Sequence, residues 1–470
     1  MKRLLWLAGL TALLAAAGAA YQAAARVREY RALLAEGDRA ADLDQVFAAI
    51  EAYSGAIALR EDAMLPYLRR GDMYRRHGKL DAAARDLRSA ADRDPSATQP
   101  LEAWADVLYE QHRYDRSAEI YERRLRLDAA SPGATYKLAL SLYRIGKLDA
   151  ALSTLARAIE LDGLRAEPYY LRGLCLRDQG HLAAAVAAFE ASLSRAPGLA
   201  AAREELADLY RILGRAVDEI AQLQILADLD RSQVERQVAV GVAHARAARE
   251  ADLAATRDRH ANLAVLTLGH ALERAPDAPP IYGALGQVWL DSAIADNDRV
   301  DLKKAIEALE RVALLPEAPS EWITSYGLAL VRDNQFEAAE RVLRRATERY
   351  PVDLRALPEY AAVAERNGRL DSARSALVKF AALASQGYDA AERAMKIGAL
   401  SLRLGDPGTA MVWLERALLG EPGHVGMLTL LAEAQLRAEA AEAARATVTR
   451  ALALDPGNSR LVQLSRRLPP

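Results

Sequence analysis

PGATYKLALSLYRIGKLDAALSTLARAIELDG, residues 132–163, decides the fold class. Its apolar residues fall three and four apart on two successive segments, Leu138-Ala139-Leu142 and Ala151-Leu155-Ala158, which is the spacing of two amphipathic helices. Gly146 breaks the first segment and Gly163 ends the second. Working outward, the same order returns at a period of about 34 residues. Tyr67-Gly71-Tyr74 precedes Ala83-Leu87-Ala90-Pro95. Gly173-Leu176-Gly180 precedes Ala185-Phe189-Ser192-Pro197, and Tyr326-Gly327-Leu330 precedes Ala339-Leu343-Ala346-Pro351. In each copy a small residue stands where two helices must touch, an aromatic or Leu follows one turn later, and Pro or Gly closes the unit. Such an array buries its core between neighbouring units and has no central pocket for chemistry, so the pattern points to a binding scaffold rather than an enzyme.

The pattern resembles the tetratricopeptide repeat, whose order is Trp-x2-Leu-Gly-x2-Tyr, Ala-x3-Phe, a small residue and Pro. Registers begin near Tyr30, Met64, Thr98, Pro132, Ala166, Ala200, Val234, Pro279, Ser320, Leu354, Ala391 and Val425. The resemblance implies an all-α fold, an α-solenoid superhelix of about 12 helix-turn-helix repeats over residues 30–458. It is weakest where Ser117, Arg124 and Glu219 stand at positions that prefer Ala. Members of this family usually hold a peptide against the first helix (helix A) of each repeat. One subclass clamps a C-terminal carboxylate with Lys and Asn. The equivalent positions here are Leu68, Asp72, Glu102, Asp106, Tyr136, Leu140, Tyr170 and Leu174, so that clamp is absent. The resemblance instead makes Tyr109, Tyr136, Leu140, Tyr143, Tyr170 and Leu174 an apolar, aromatic stripe, rimmed by Lys137, Arg144 and Arg177. A stripe of this kind suits a peptide with apolar anchors and some acidic character. Alternatively these tyrosines serve the repeat itself.

Composition narrows the function classes. Lys+Arg 62 against Asp+Glu 64 gives a net charge of −2, so no global basic field attracts nucleic acid. Apolar residues make up 51% of the chain, enough for a continuous core. Cys175 is the only cysteine, which excludes an internal disulfide and cysteine-rich zinc sites. Its place in a helix A reads as a small buried hydrophobe. His77, His112, His181, His244, His260, His270 and His424 form no metal-binding pair at helical spacing and read as solvated residues. No nucleophile elbow or phosphate loop is present, and no segment free of the repeat is long enough for a catalytic domain. No cofactor, metal or catalytic residue is expected.

Residues 1–29 read as a leader and short linker. Lys2 and Arg3 precede Leu4, Leu5, Trp6, Leu7, Leu10, Leu13 and Leu14, and Ala-rich sequence then runs to Tyr21. The apolar stretch is read first as an uncleaved membrane-spanning helix with Trp6 and Tyr21 at the interfaces, with a secretory signal cut before Ala20 or a helix buried on the protein as alternatives. Lys2 and Arg3 favour an array on the periplasmic side of a bacterial inner membrane, whereas Arg26, Arg28, Arg31 and Arg39 argue for a cytoplasmic one.

Two units exceed the period, at about 234–278 and 279–319. The first carries extra helix-favouring residues over His244–Ala254, which predicts a longer helix A. The second carries extra residues around Asp296-Asn297-Asp298-Arg299. A calcium loop is argued against there, because Asp301 stands where Gly is required. Adjacent insertions make either a binding surface or a tolerated expansion. Asp81, Asp115, Asp149 and Asp371 read as helix N-caps. Residues 459–470, with Leu461, Leu464 and Leu468 on one face, read as a capping helix. The expected function is a non-catalytic, protein-binding scaffold of the bacterial envelope. The alternative is a self-associating structural component of polysaccharide-export or outer-membrane machinery.

Overall fold

The structure, a computed structural model, describes residues 2–384 and 389–468, and for residues 2–9, 11, 12 and 15 the backbone only. Among the described residues the chain is all α, with 25 helices and no strand. It divides into two compact units, Met1–Leu213 and Gly214–Pro470. Unit 1 holds α1 (Lys2–Asp42), α2 (Val46–Leu59), α3 (Met64–Arg76), α4 (Leu80–Arg93), α5 (Thr98–Glu110), α6 (Tyr114–Leu127), α7 (Pro132–Arg144), α8 (Leu148–Leu161), α9 (Glu167–Asp178), α10 (Leu182–Leu193) and α11 (Ala200–Ile212). Unit 2 holds α12 (Ala216–Leu229), α13 (Val234–Glu250), α14 (Ala254–Arg274), α15 (Pro279–Asp296), α16 (Arg299–Ala313), α17 (Ser320–Arg332), α18 (Phe336–Glu348), α19 (Ala356–Arg366), α20 (Leu370–Leu383), α21 (Ala390–Arg403), α22 (Pro407–Gly420), α23 (Val425–Arg437), α24 (Ala441–Leu454) and α25 (Ser459–Arg466). Helices α3, α5, α7, α11, α13, α15, α17 and α23 begin on the registers read from the sequence.

Packing explains the small residue of each repeat. A Cβ on Gly173 would lie 2.5 Å from the Phe189 ring, one on Gly241 2.5 Å from Leu268, and one on Gly286 2.5 Å from Leu309. Gly327 and Gly398 approach Leu343 and Leu414 in the same way. The large residue of helix B therefore fills the space that the glycine of helix A leaves, which fixes how closely each pair approaches. Leu87, Leu155, Phe189, Leu268, Leu309, Leu343 and Leu414 are all fully buried. The core runs between successive pairs, as in the cluster joining Tyr121, Leu138, Leu142, Leu155 and Leu171.

Arginines at the ends of helices B tie neighbouring pairs together. Arg195 donates to the Gly163 carbonyl at 2.6 Å and stacks 3.7 Å over the Tyr169 ring. Arg93 donates to the Glu61 carbonyl after α2 and stacks 3.9 Å over Tyr67 of its own pair, and Arg345 donates to the Ala313 carbonyl at 2.7 Å.

The expected N-caps are corrected. Lys79, Arg113, Lys147 and Arg369 occupy the caps, and Asp81, Asp115, Asp149 and Asp371 lie inside the first helical turn. Asp81 and Asp149 accept from Gln111 and Gln179 of the following helix A, each at 2.8 Å. They are inter-repeat acceptors, and their charge also suits the positive helix end.

Helix α1 continues through the leader boundary to Asp42, with Tyr30 and Ala40 buried. Leu10, Leu13, Leu14 and Tyr21 are 57%, 68%, 62% and 68% exposed, so this stretch is not packed on the array. Among the described residues no helix is long and apolar enough to cross a membrane. The side chains of Leu4, Leu5, Trp6 and Leu7 lie outside the described residues.

Candidate functional site

The stripe residues come from successive A helices of unit 1: Tyr109 from α5, Tyr136, Leu140, Tyr143 and Arg144 from α7, and Tyr170, Leu174 and Arg177 from α9. A recurrence of 34 places Tyr109, Tyr143 and Arg177 at one repeat position and Tyr136 and Tyr170 at another, because equal repeats stack equal positions side by side. All but the exposed Arg144 are half-buried. Tyr136, Leu140, Tyr143 and Leu174 pack on the edge of the core, and the Tyr170 ring lies 5.7 Å from Phe189. Burial raises the Tyr136 and Tyr170 hydroxyl pKa values, and it pushes Tyr143 up to about 12 with help from Asp178. All three are neutral phenols that can offer a ring face, and the Tyr143 proton is already given to Asp178.

Polar tips on this face form a ladder with a one-residue offset. Arg75 donates to Glu110 at 2.9 Å, Arg144 to the Tyr109 hydroxyl at 3.0 Å, and the Tyr143 hydroxyl to Asp178 at 2.9 Å. Each rung joins the last turn of one helix A to the next helix A, 35 residues on.

The ladder corrects the expected basic rim. Lys137 contacts Glu102 at 3.2 Å and Asp106 at 2.9 Å. Arg177 is paired with Asp178 at 2.8 Å and with Glu205. Lys137 and Arg177 are thus compensated by carboxylates, and Arg144, on the Tyr109 hydroxyl, faces the carboxylates of the same ladder, so the face carries no net positive charge for an acidic peptide. Sequence reasoning missed the partners Glu102, Asp106, Asp178 and Glu205. Glu102, Asp106 and Glu205 lie 28–35 residues from the cations they meet, close to one repeat, whereas Asp178 is the immediate neighbour of Arg177.

The irregular repeat positions also find partners within the array, although the buried Arg124 Nε makes no hydrogen bond. Ser117 donates to the Ala105 carbonyl at 2.9 Å and lies 3.2 Å from the Ser141 hydroxyl. Arg124 is buried beside Asp128 at 3.1 Å, and the buried Glu219 pairs with Arg246. Cys175 is fully buried, and burial pushes its thiol up to about 11, so it remains protonated at neutral pH and is a poor nucleophile.

The two long repeats differ from the sequence expectation in where they absorb their extra residues. Helix α13 has 17 residues, as a longer helix A requires, but α14 has 21 and α15 has 18, against 12–14 in most others. The hairpin brings His244 and His260 together, Nδ1 to Nδ1 3.0 Å. These histidines are not solvated turn residues: His244 is buried, and burial, then His260 and Arg259, lower its pKa. Their separation of 16 residues is meaningful only once the hairpin exists. The same three helices enclose a cavity of about 340 Å³. Among the described residues no group of His, Cys, Asp and Glu could hold a metal ion.

Models of the tetratricopeptide repeat match residues 102–169, 170–234 and 326–387, and a second form of the same repeat matches 401–468. Together they take in more than half of the chain. The chain belongs to the tetratricopeptide repeat family. Tetratricopeptide repeat proteins generally mediate protein–protein interactions. Among curated proteins, the small glutamine-rich tetratricopeptide repeat-containing protein 2 of Mycosarcoma maydis is 28% identical over 99 residues. That match covers 21% of this chain and 28% of the relative, so the likeness spans little more than a quarter of its length. Solved structures similar to the chain include MamA, at 24% identity over 37% of this chain and 94% of that one, with a TM-score of 0.35. YrrB, described as a tetratricopeptide repeat protein with an unusual peptide-binding site, is 23% identical over 40% and 97%, with a TM-score of 0.35. PilF of Pseudomonas aeruginosa is 21% identical over 47% and 96%, with a TM-score of 0.36.

Proposed function

We propose that this tetratricopeptide array is a non-catalytic scaffold that binds partner proteins on the helix A face of unit 1, around Tyr136, Tyr143 and Tyr170. The observation that carries this reading is the row of half-buried rings and leucines left open above a self-compensated ladder. Aromatic rings held at their base by the core lose little entropy when a partner covers them, which is the usual character of a binding hot spot. Because the ladder neutralises its own charges, the favoured partner segment is apolar and hydrogen-bonding rather than acidic.

We further propose that the leader tethers the scaffold to the bacterial inner membrane, with the array on the periplasmic side. The charge order Lys2-Arg3 before the apolar run supports this placement. So does the exposure of Leu10, Leu13 and Leu14, whose apolar side chains are free to meet lipid.

Replacing Tyr136, Tyr143 and Tyr170 with Ala is the test. Partner capture from native membranes should fall by well over tenfold, since central aromatic anchors contribute about 2 kcal/mol or more each. Far-UV circular dichroism should keep its helical signal. Unchanged capture by a folded triple variant would remove the helix A face from the function.

A further inference from the structure

The extra turns of the two long repeats border a cavity. Ala248 and Arg249 lie in the last turn of α13, Arg257 and Asp258 in the first turn of α14, and Ser292–Asp296 in the last turns of α15. A 14-residue helix begun where α13 or α15 begins would end at Ala247 or Ser292, and one ended where α14 ends would begin at Ala261, so most of these positions lie on the added turns. The lengthening therefore extends the walls and adds Arg249, Arg257, Asp258 and Asp296 beside Asp291.

We propose that this cavity receives an arginine or lysine side chain presented by a partner protein, an assignment that rests on the scaffold reading above. Its floor is aliphatic, from Ala245, Ala248, Ala261 and Val288. A floor of that kind suits the methylene stem of a long basic side chain, which gains by burying its stem while its head stays among polar groups. The volume, about 340 Å³, is at the small end for ligand sites and has room for one long side chain rather than a large cofactor.

The charge at the mouth selects a cation. Arg249 lies 3.3 Å from Asp291, and Arg257 lies 3.1 Å from Asp258 and 3.2 Å from Asp296. Two guanidinium groups thus face three carboxylates, and one negative charge is left over. Burial raises the pKa of the Asp291 carboxyl even with Arg249 beside it and the Arg355 charge acting on it, so a further cation would relieve it. Ile294, exposed at the rim, offers an apolar contact to the residue flanking the inserted one. A free amine would have no use for that contact, and it favours a side chain carried on a polypeptide.

The experiment uses the full chain and short fluorescent peptides of one Ala-Leu-Ser host sequence, with Arg, Lys, norleucine or Glu at the centre. Polarisation titrations should show the Arg and Lys peptides binding at least about tenfold tighter than the other two. Asp296→Lys, which reverses the surplus charge, and Ala295→Phe, which fills the mouth from an exposed position, should each abolish that preference. Circular dichroism confirms that both variants are folded. Equal binding of the norleucine or Glu peptide would overturn the proposal, as would basic-peptide binding that survives both substitutions. Displacement of the peptide by an equal concentration of hexylammonium would overturn the commitment to a polypeptide. Peptide binding lost only in the Tyr136, Tyr143 and Tyr170 variant would sink this site and leave the scaffold reading standing. If no peptide binds at all, this site fails and the membrane-capture test alone judges the scaffold.

Discussion

Gly173 and Phe189 show how much one atom matters in this fold. Gly173→Leu would drive several carbons into a ring that a Cβ alone would approach to 2.5 Å. Overpacking of this sort costs about 1–3 kcal/mol. Calorimetry should register that loss, and hydrogen exchange should place it in α7–α11. Loosening spread evenly over the whole chain would contradict nearest-neighbour coupling. Glu219 makes a different point, because it is buried and meets Arg246. Glu219→Ala leaves a guanidinium without its partner and should cost about 2–3 kcal/mol in urea unfolding. The double variant Glu219→Ala, Arg246→Met should recover part of that loss. If it is as unstable as the single variant, the pair does not explain the buried carboxylate. His244 makes stability depend on pH. The unfolded chain takes up a proton near pH 6.5, but the folded one does so only at lower pH. The unfolded state therefore binds more protons between those two values, and stability rises with pH across that window. The contribution is fully present above about pH 6.5 and is lost as pH falls through the folded value. His244→Leu should flatten this part of the profile of unfolding midpoints, and an unaltered acid slope would assign it to other groups.

At the scale of the helix, the repeats are joined by two kinds of tie: the helix A ladder and the arginines at the ends of helices B. Tyr143→Phe removes one rung, from the hydroxyl to Asp178, and keeps the ring. The expected cost is about 0.5–1.5 kcal/mol in stability, with partner binding retained if the ring face is the contact. A fall in capture as large as that of the triple alanine variant would instead assign the binding to the hydroxyl. The helices themselves were readable from spacing, turn glycines and closing prolines. Their caps were not: Asp149 sits where an N-cap aspartate would be sought, yet it faces Gln179 of the next repeat. A local pattern cannot report a partner 30 residues away. The insertion was likewise read as helical, but its division among α13, α14 and α15 depends on how the three pack, which composition does not encode.

At the scale of the whole molecule, the proposed membrane tether makes a testable statement about where the array lies. A C-terminal alkaline phosphatase fusion should be active, and a green fluorescent protein fusion exported by the same route should be dark. A bright, inactive pair would move the array to the cytoplasm and leave the binding face intact. Each unit has its own stack of helix pairs and its own buried clusters. In such an arrangement a lost contact is felt mainly by the adjacent pair.

The sequence by itself determined the all-α class, the repeat and its registers, and the residues that pair glycine with leucine or phenylalanine. These follow from short-range periodicity, which every copy states again. It also placed Tyr136, Tyr143 and Tyr170 on helix A, because position within a repeat sets the face. Only the tertiary structure decided that Lys137 and Arg177 are already neutralised, that His244 meets His260, and that the long helices enclose a cavity. Those facts depend mostly on side chains brought together from different helices, and a repeat period alone does not say which of them pair.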